Sequence, residues 1–529
     1  MLGSGDVETA VGDEPVDGGD EPSRSGRLEP RERLVLGILV VVAALLSIPR
    51  LGVRSLWLDE AYTVGISNEL FDAMQHTAGN QALYYLLVWP VTRLSIDPFW
   101  LRLPSAVLGL AGLVVVYRVG RRIGGPRLAG LTAGGLALSW GLARYSVEAR
   151  SYTLAMLLVS VTWLAVIAAV QADDEDERRR WWWIFSVVTI LVPFAHGLAT
   201  LNLVAQLAAL AVLPGDEGRR HLRRALRVVP IVAVELAVLF ALGASEVGDW
   251  VPPLSIGQVI GVKQLMVGWG ITGLVLFPLV AAAVVLVVRE FLAERDRDAW
   301  VRLVPVFWAV GPPVMLLVLS FFRPYMSGRY VFASLPAFCL LGAGLIDRLG
   351  SMRRIVPAVA LVAAFLLLDH GHVTTSSIED WEEVTACISA NAEPGDRLVT
   401  GAAHRSALDY YWSDHPELAQ VEPLSPTEPF GEPRRLYDSQ IDDHQDLAAV
   451  LLDDPSSSIW LIERGPPGRI GLVGVAFNRR ITARYDLTET WYFQGELSML
   501  RLDPIGADRP DSRARCDTVE TPADMKPKS

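Results

Sequence analysis

The chain has 529 residues, 51% of them hydrophobic, with a mean hydropathy of +0.33 and a formal net charge of −12. That is too apolar for an ordinary soluble enzyme and points to a polytopic α-helical membrane protein. The acids concentrate in the N-terminal tail and beyond residue 370, so the negative charge describes solvated ends rather than a binding face, and no nucleic-acid partner is expected.

Residues 1–30 are rich in Gly, Asp, Glu, Pro and Ser and have little to bury, which predicts a disordered cytoplasmic tail. A cleavable signal peptide would be shorter and start closer to the N-terminus. The apolar run 34–48 is the first candidate span. Arg24, Arg27, Arg31 and Arg33 precede it and favour a cytoplasmic N-terminus. Directly after it comes Ser-Leu-Trp-Leu-Asp-Glu-Ala-Tyr-Thr over 55–63, which holds two adjacent carboxylates, Asp59 and Glu60. Ionised groups at a membrane boundary are costly unless paired, solvated or used, so the pair fits either a solvated loop or a site.

The next apolar segment, 82–91, has about ten residues where a spanning helix needs roughly 20. If both it and the run 103–117 crossed, Arg118, Arg121, Arg122 and Arg127 would lie outside, against the positive-inside rule. Residues 54–102 therefore read as one long external loop bearing an amphipathic helix on the membrane surface. Further spans are expected at 128–142, 153–170, 183–195, 198–213, 228–242, 271–288, 304–320, 330–346 and 355–368. This gives about eleven spans, with every dense arginine cluster on one side and the C-terminal part outside. Residues 371–505 change character and predict an extracytoplasmic α/β domain, with a helix at 380–388 and strands at 397–400, 458–462 and 496–502. The Pro-, Arg- and Asp-rich end, 506–529, reads as disordered.

Lys263, Lys526 and Lys528 are the only lysines, which a coding bias explains. Cys339, Cys387 and Cys516 show no metal-ligand spacing. Cys387 and Cys516 could pair in an oxidising compartment, but a disordered tail around Cys516 weighs against it.

The arginine-based topology puts Asp59, Glu60, His76, Glu148, Arg150, His196, Lys263, Arg323 and Arg329 on one external face. Such a set suits one task at a water–lipid boundary. The acids can deprotonate an acceptor hydroxyl or hold a divalent cation, and the cations can bind a phosphate leaving group. Plainer readings stand beside this one: His196 satisfies a tight helical turn, Lys263 is solvated, and Arg144 and Arg150 are snorkelling anchors. Glu235, in mid-span, is assigned no chemistry.

The segment Trp-Leu-Asp-Glu-Ala-Tyr-Thr over 57–63 resembles the Asp-Glu signature of the GT-C superfamily of membrane glycosyltransferases. It is most similar to the family 39-like members, protein O-mannosyltransferases and lipid A aminoarabinose transferases among them. Three further stretches resemble that pattern: Asn-Gln-Ala-Leu-Tyr-Tyr-Leu-Leu over 80–87, Arg-Tyr-Ser-Val-Glu-Ala-Arg-Ser-Tyr over 144–152, and Arg-Tyr-Val-Phe-Ala-Ser-Leu-Pro over 329–336. The resemblance covers about residues 34–370, and 380–396 is also typical of the C-terminal domain. It implies an extracytoplasmic enzyme of the plasma membrane that moves a sugar, usually with inversion, from a polyprenyl-phosphate donor to an acceptor glycan, lipid or protein. Carried over, Asp59 is the general base, Glu60 orients the base or the acceptor, and Glu148 assists in substrate or metal binding. Arg150, Tyr152, Lys263, Arg323 and Arg329, with His76 and His196, form the substrate- and phosphate-binding set. A divalent cation, Mg2+ or Mn2+, is left open by the resemblance. Many members carry His-Pro-Pro before Leu-Tyr-Tyr, where this chain has Gly-Asn-Gln-Ala over 79–82, which puts a metal requirement in doubt. The competing class is a transporter or flippase of a lipid-linked sugar. Transporters place ionisable groups near the midplane and show an internal repeat. This sequence shows no repeat and clusters its charges at one face.

Overall fold

The computed structural model describes residues 28–65, 79–243, 253–268, 270–349, 378–432, 444–453, 455–464 and 478–507, with a few isolated positions, Cys516 among them. The first helix, α1 (Pro30–Ser47), opens on a capping box between Glu29 and Glu32 with proline at its first position. A short helix α2 (Leu58–Gly65) and a longer α3 (Ala82–Leu94) follow. Next comes α4 (Pro98–Ala137), which doubles back at Gly124 and Gly125. Gly125 has φ +79°, open to glycine at no steric cost. The two arms pack so closely that a Cβ on Gly120 would lie 2.9 Å from the Ala129 Cα.

The bundle is completed by α5 (Trp140–Tyr145), α6 (Tyr152–Gln171), α7 (Glu175–Ala195), α8 (Leu201–Ala211), α9 (Gly215–Leu226), α10 (Val229–Ala241), α11 (Ile256–Val267), α12 (Gly270–Glu294), α13 (Arg297–Leu319) and α14 (Leu335–Asp347). Among the described residues, six helices are long and apolar enough to cross a membrane. Ten of the eleven expected spans are helical, several of them too short to cross by length and composition alone. The eleventh, 355–368, lies outside the described residues, as do most of both tails. The arms of α4 and the helices α6, α7 and α14 pack around a core that includes Trp163 and Trp308, whose rings stack 5.7 Å apart. Interhelical hydrogen bonds join Trp163 Nε1 to Asn202 Oδ1 (3.3 Å) and Gln206 Nε2 to Thr162 Oγ1 (2.7 Å), satisfying polar groups that lipid could not.

One boundary differs from expectation. The segment expected as a loop over 54–102 gives way to helix earlier: the Asp97 side chain caps α4 by accepting the Phe99 N–H, and Pro98 starts the helix. Arg102 is therefore inside the helix and not in the loop. A helix, α3, forms within the expected loop; Tyr84 and Tyr85 turn fully inward while Leu86 and Leu87 are exposed.

Beyond residue 378 the described residues build a five-stranded sheet in the order β2-β1-β3-β5-β4, from β1 (Arg397–Thr400), β2 (Glu422–Ser425), β3 (Ile459–Arg464), β4 (Tyr485–Phe493) and β5 (Leu497–Pro504). Strand β3 pairs parallel with β1 and antiparallel with β5, and its run Ile459–Ile462 is fully buried, as a central strand requires. The three expected strands are β1, β3 and β5, and the expected helix is α15 (Trp381–Asn391). Strands β2 and β4 were not foreseen. Both lie at the sheet edges, where half-exposed side chains blur the pattern. Cys387 and Cys516 form a disulfide with Cα atoms 5.2 Å apart, against the expectation from the tail. The α/β unit shares a core with the membrane part: Leu56, Ala61 and Val64 pack with Trp381, Leu408 and Tyr411 of α15 and α16 (Ala402–Trp412).

Candidate active site

The segment that follows α1 is folded around one guanidinium. Arg102 directs all five N–H donors inward. Nε and Nη2 bind the two Glu60 oxygens at 2.8 Å each, and the others reach the carbonyls of Leu51, Arg54 and Ser55. Glu60 Oε1 also accepts the Ala149 N–H at 2.8 Å. A buried ion pair tolerates desolvation only when its remaining hydrogen-bonding capacity is met in this way. Glu60 is 1% exposed and saturated, so it ties α2 to the 148–150 turn. Thr63 adds a second tie, donating its hydroxyl to the Ala149 carbonyl at 3.0 Å.

Its neighbour Asp59 points elsewhere. The Asp59 side chain is 25% exposed, and Oδ2 lies 3.0 Å from Arg329 Nη1 and 3.7 Å from Arg150 Nη2. Arg150 Nη1 also donates to the Asp59 carbonyl (3.1 Å) and to the Tyr85 hydroxyl (3.3 Å). Arg329 Nη1 donates to the Tyr152 hydroxyl (3.3 Å), and its guanidinium lies 5.6 Å from the centre of the Trp57 ring. The result is an accessible carboxylate between two guanidinium groups, in a wall of aromatic rings.

Glu148 sits behind this group. It is buried, 3.1 Å from Arg144 Nε, a distance without hydrogen-bond alignment, so its Oε1 carries no hydrogen bond. Burial pushes its carboxyl above the usual range, against the pull of Arg144. His196 lies between the Tyr152 ring (5.9 Å) and the Tyr330 ring (5.2 Å), with Nδ1 buried and unbonded. Burial, aided by Arg150 and Arg329, lowers its pKa to about 3, so the imidazole is neutral. The tight turn is held at Gly197, whose N–H donates to Asn80 Oδ1 at 3.1 Å.

The structure thus brings together Asp59, Glu60, Glu148, Arg150, Tyr152, His196 and Arg329. Lys263 lies on α11 with its ammonium 5.9 Å from the Phe277 ring centre, and among the described residues no ion pair or hydrogen bond joins it to Asp59. Arg323 lies in the turn after α13, its N–H bonded to the Leu319 carbonyl. His76 falls outside the described residues. Neither Asp59 nor Glu60 is free to hold a divalent cation: Asp59 Oδ2 faces two guanidinium groups and Glu60 is filled by Arg102 and Ala149. No cluster of three or more His, Cys, Asp or Glu exists among the described residues.

Sequence reasoning missed Arg102, Tyr85 and Trp57. Arg102 did carry a signal, since a charge just before an apolar run demands a partner. Tyr85 and Trp57 look like any interfacial aromatic residue.

No family model matches the chain, and no curated protein matches it. Solved structures do. ArnT from Cupriavidus metallidurans in the apo state aligns with a TM-score of 0.56 at 15% identity, over 88% of this chain and 97% of that one. The same protein bound to undecaprenyl phosphate gives 0.56 at 15%, over 89% and 98%. The apo oligosaccharyltransferase of Archaeoglobus fulgidus gives 0.53 at 11%, over 91% of this chain and 75% of that one. At such identities the likeness is one of fold, the fold that this chain shares with ArnT and the archaeal oligosaccharyltransferase.

Proposed function

We propose that this protein is a membrane glycosyltransferase that moves a sugar from a polyprenyl-phosphate donor to an acceptor hydroxyl at the extracytoplasmic face. The observation that carries the reading is the accessible Asp59 carboxylate set between Arg329 and Arg150 on a fold shared with ArnT. Asp59 takes the acceptor's O–H proton as the oxygen attacks the anomeric carbon. The bond from that carbon to the phosphate oxygen breaks, and lipid phosphate departs as a stable anion without an acid's help. Arg329 and Arg150 orient the Asp59 side chain and bind the phosphate's oxygens by charge-assisted hydrogen bonds.

Glu60 acts by position: with both oxygens committed, it sets the angle of α2 and leaves the acceptor to Asp59. Glu148 and Arg144 lie behind the cations and shape the field they feel. That ArnT has been seen with undecaprenyl phosphate supports a lipid-phosphate donor. The disulfide in the α/β unit, which packs on the same face as Asp59, supports an oxidising, extracytoplasmic setting.

The test is a donor screen. The purified chain in lipid is given mannosyl-, glucosyl- and arabinosyl-phosphoprenol, and the product is identified by mass. Transfer from at least one donor, lost in Asp59→Asn, is expected. Turnover that survives Asp59→Asn removes Asp59 from the base role. Movement of an intact lipid-linked sugar across the bilayer with no transfer favours the flippase class.

A further inference from the structure

The helix that carries Asp59 is anchored from the α/β unit by Glu379. This side chain is fully buried, and Oε2 accepts two N–H groups: that of Leu58 at 2.9 Å and the Trp381 indole at 2.8 Å. Oε1 lies 2.9 Å from Arg464 Nε on β3. Leu58 is the first residue of α2 and immediately precedes Asp59. First-turn N–H groups have no partner within their own helix, and a negative charge there also complements the helix dipole. The partner of the Leu58 N–H comes from 321 residues along the chain.

Glu379 is itself held rigidly. The Asp380 N–H donates to the Gln494 carbonyl (3.2 Å) in the turn between β4 and β5. In that turn Gly495 has φ +86°, and a Cβ there would lie 2.2 Å from the Ile378 carbonyl oxygen and 2.6 Å from the Glu379 Cα. A continuous path therefore runs from the sheet, through the β4–β5 turn and Glu379, to the first turn of α2. Tyr411 and Ser55 reinforce the same junction, through the Leu56 N–H (2.5 Å) and the Glu382 N–H (3.4 Å).

We propose that Glu379 is a positioning residue for the transfer reaction, fixing the first turn of α2 so that Asp59 stays in register with Arg329 and Arg150. The proposal rests on the reading of Asp59 as the base. It gives the α/β unit a part in the chemistry without any contact with substrate.

The experiment measures kcat and KM per folded molecule for the full-length chain in lipid nanodiscs, using whichever of mannosyl-, glucosyl- or arabinosyl-phosphoprenol the wild type turns over. Glu379→Ala is expected to lower kcat about 10- to 100-fold, the size of effect a displacement near 1 Å produces, with KM for the donor within about 2-fold of wild type. Glu379→Gln keeps an oxygen for Leu58 and Trp381 and should recover kcat to within about 3-fold of wild type. Glu379→Asp keeps the charge but falls a methylene short of Leu58, so it should remain below Glu379→Gln.

Wild-type kcat in Glu379→Ala, or the reverse order of the Asp and Gln variants, overturns the proposal. So does a loss confined to the yield of folded protein, with kcat per folded molecule unchanged. If Glu379→Ala does not accumulate, the order of the Asp and Gln variants decides. Asp59→Asn is run in parallel: its activity tests the base reading alone, so the two failures are separable.

Discussion

The two ends of the helix bundle use the same residue types in opposite ways. At the arginine-rich end, Arg178 pairs with Glu175, Arg179 with Asp176, Arg219 with Asp216 and Arg302 with Glu294, between neighbours on one helix or across one turn, and largely in solvent. At the Asp59 end, Arg102 pairs with Glu60 and Arg329 with Asp59, 42 and 270 positions apart, the first fully buried and the second largely so. Exposed pairs contribute little to stability and are read by the membrane as a topology signal. Buried ones carry a desolvation cost that only complete hydrogen bonding offsets. The arginine-rich end also holds one long-range, largely buried pair, Arg121 with Glu32, but the guanidinium with all five N–H groups bonded is Arg102 beside Glu60.

The sharpest way to break this contrast is at Asp59. Asp59→Asn keeps the shape and removes the base, and a loss of about 10²- to 10⁴-fold in transfer rate is expected, measured on membranes with equal amounts of protein. Arg219→Ala, at the other end, should leave the rate unchanged.

Stability gives the second contrast. Arg102→Ala strands Glu60 without its partner and should cost about 3–5 kcal/mol, read as loss of folded protein in thermal unfolding. Removing Arg179, exposed beside Asp176, should cost about 0–1 kcal/mol in the same assay. Equal shifts for the two variants would end the distinction.

A smaller effect is expected at Glu148, and its sign follows from burial. A carboxyl whose folded-state pKa is raised contributes stability that is fully present below the ordinary value of 4.5 and lost as pH rises through the raised one. Glu148→Gln should therefore be more stable than wild type at neutral pH. The advantage should vanish in acid, as followed by unfolding temperature against pH.

Accessibility sharpens the comparison without touching activity. In a Cys339→Ala background, Ala419→Cys on the exposed side of the α/β unit should react with an impermeant thiol reagent in whole cells, and Asp216→Cys should react only after lysis. Both positions are exposed, whereas Glu148 and Ala149 are buried and would be silent in either orientation. The reverse labelling pattern would invert the topology.

Much of the architecture was legible from residues alone, because hydropathy and arginine placement act locally. The runs at 34–48, 153–170 and 330–346 became α1, α6 and the segment ending in α14 with boundaries moved by a few residues. Asp59, Glu148, Arg150 and Arg329 were assigned to one face from arginine counting, and they do meet. The start of α4 was misplaced although Asp97 and Pro98 form a readable helix start, because the positive-inside argument addressed crossings and not caps. The edge strands β2 and β4 were hidden by their mixed exposure.

The sequence by itself determined that a carboxylate pair stands after the first span, beside a loop long enough to build a site. It could not say which carboxylate is available. Asp59 and Glu60 are neighbours of the same charge, and nothing local separates them. The tertiary structure decided that, by bringing Arg102 and the Ala149 N–H to Glu60, Arg329 and Arg150 to Asp59, and Glu379 from 321 residues away to the helix that carries both. Buried charges take their roles from the partners that reach them. Those partners are set by packing between distant segments, which no local pattern records.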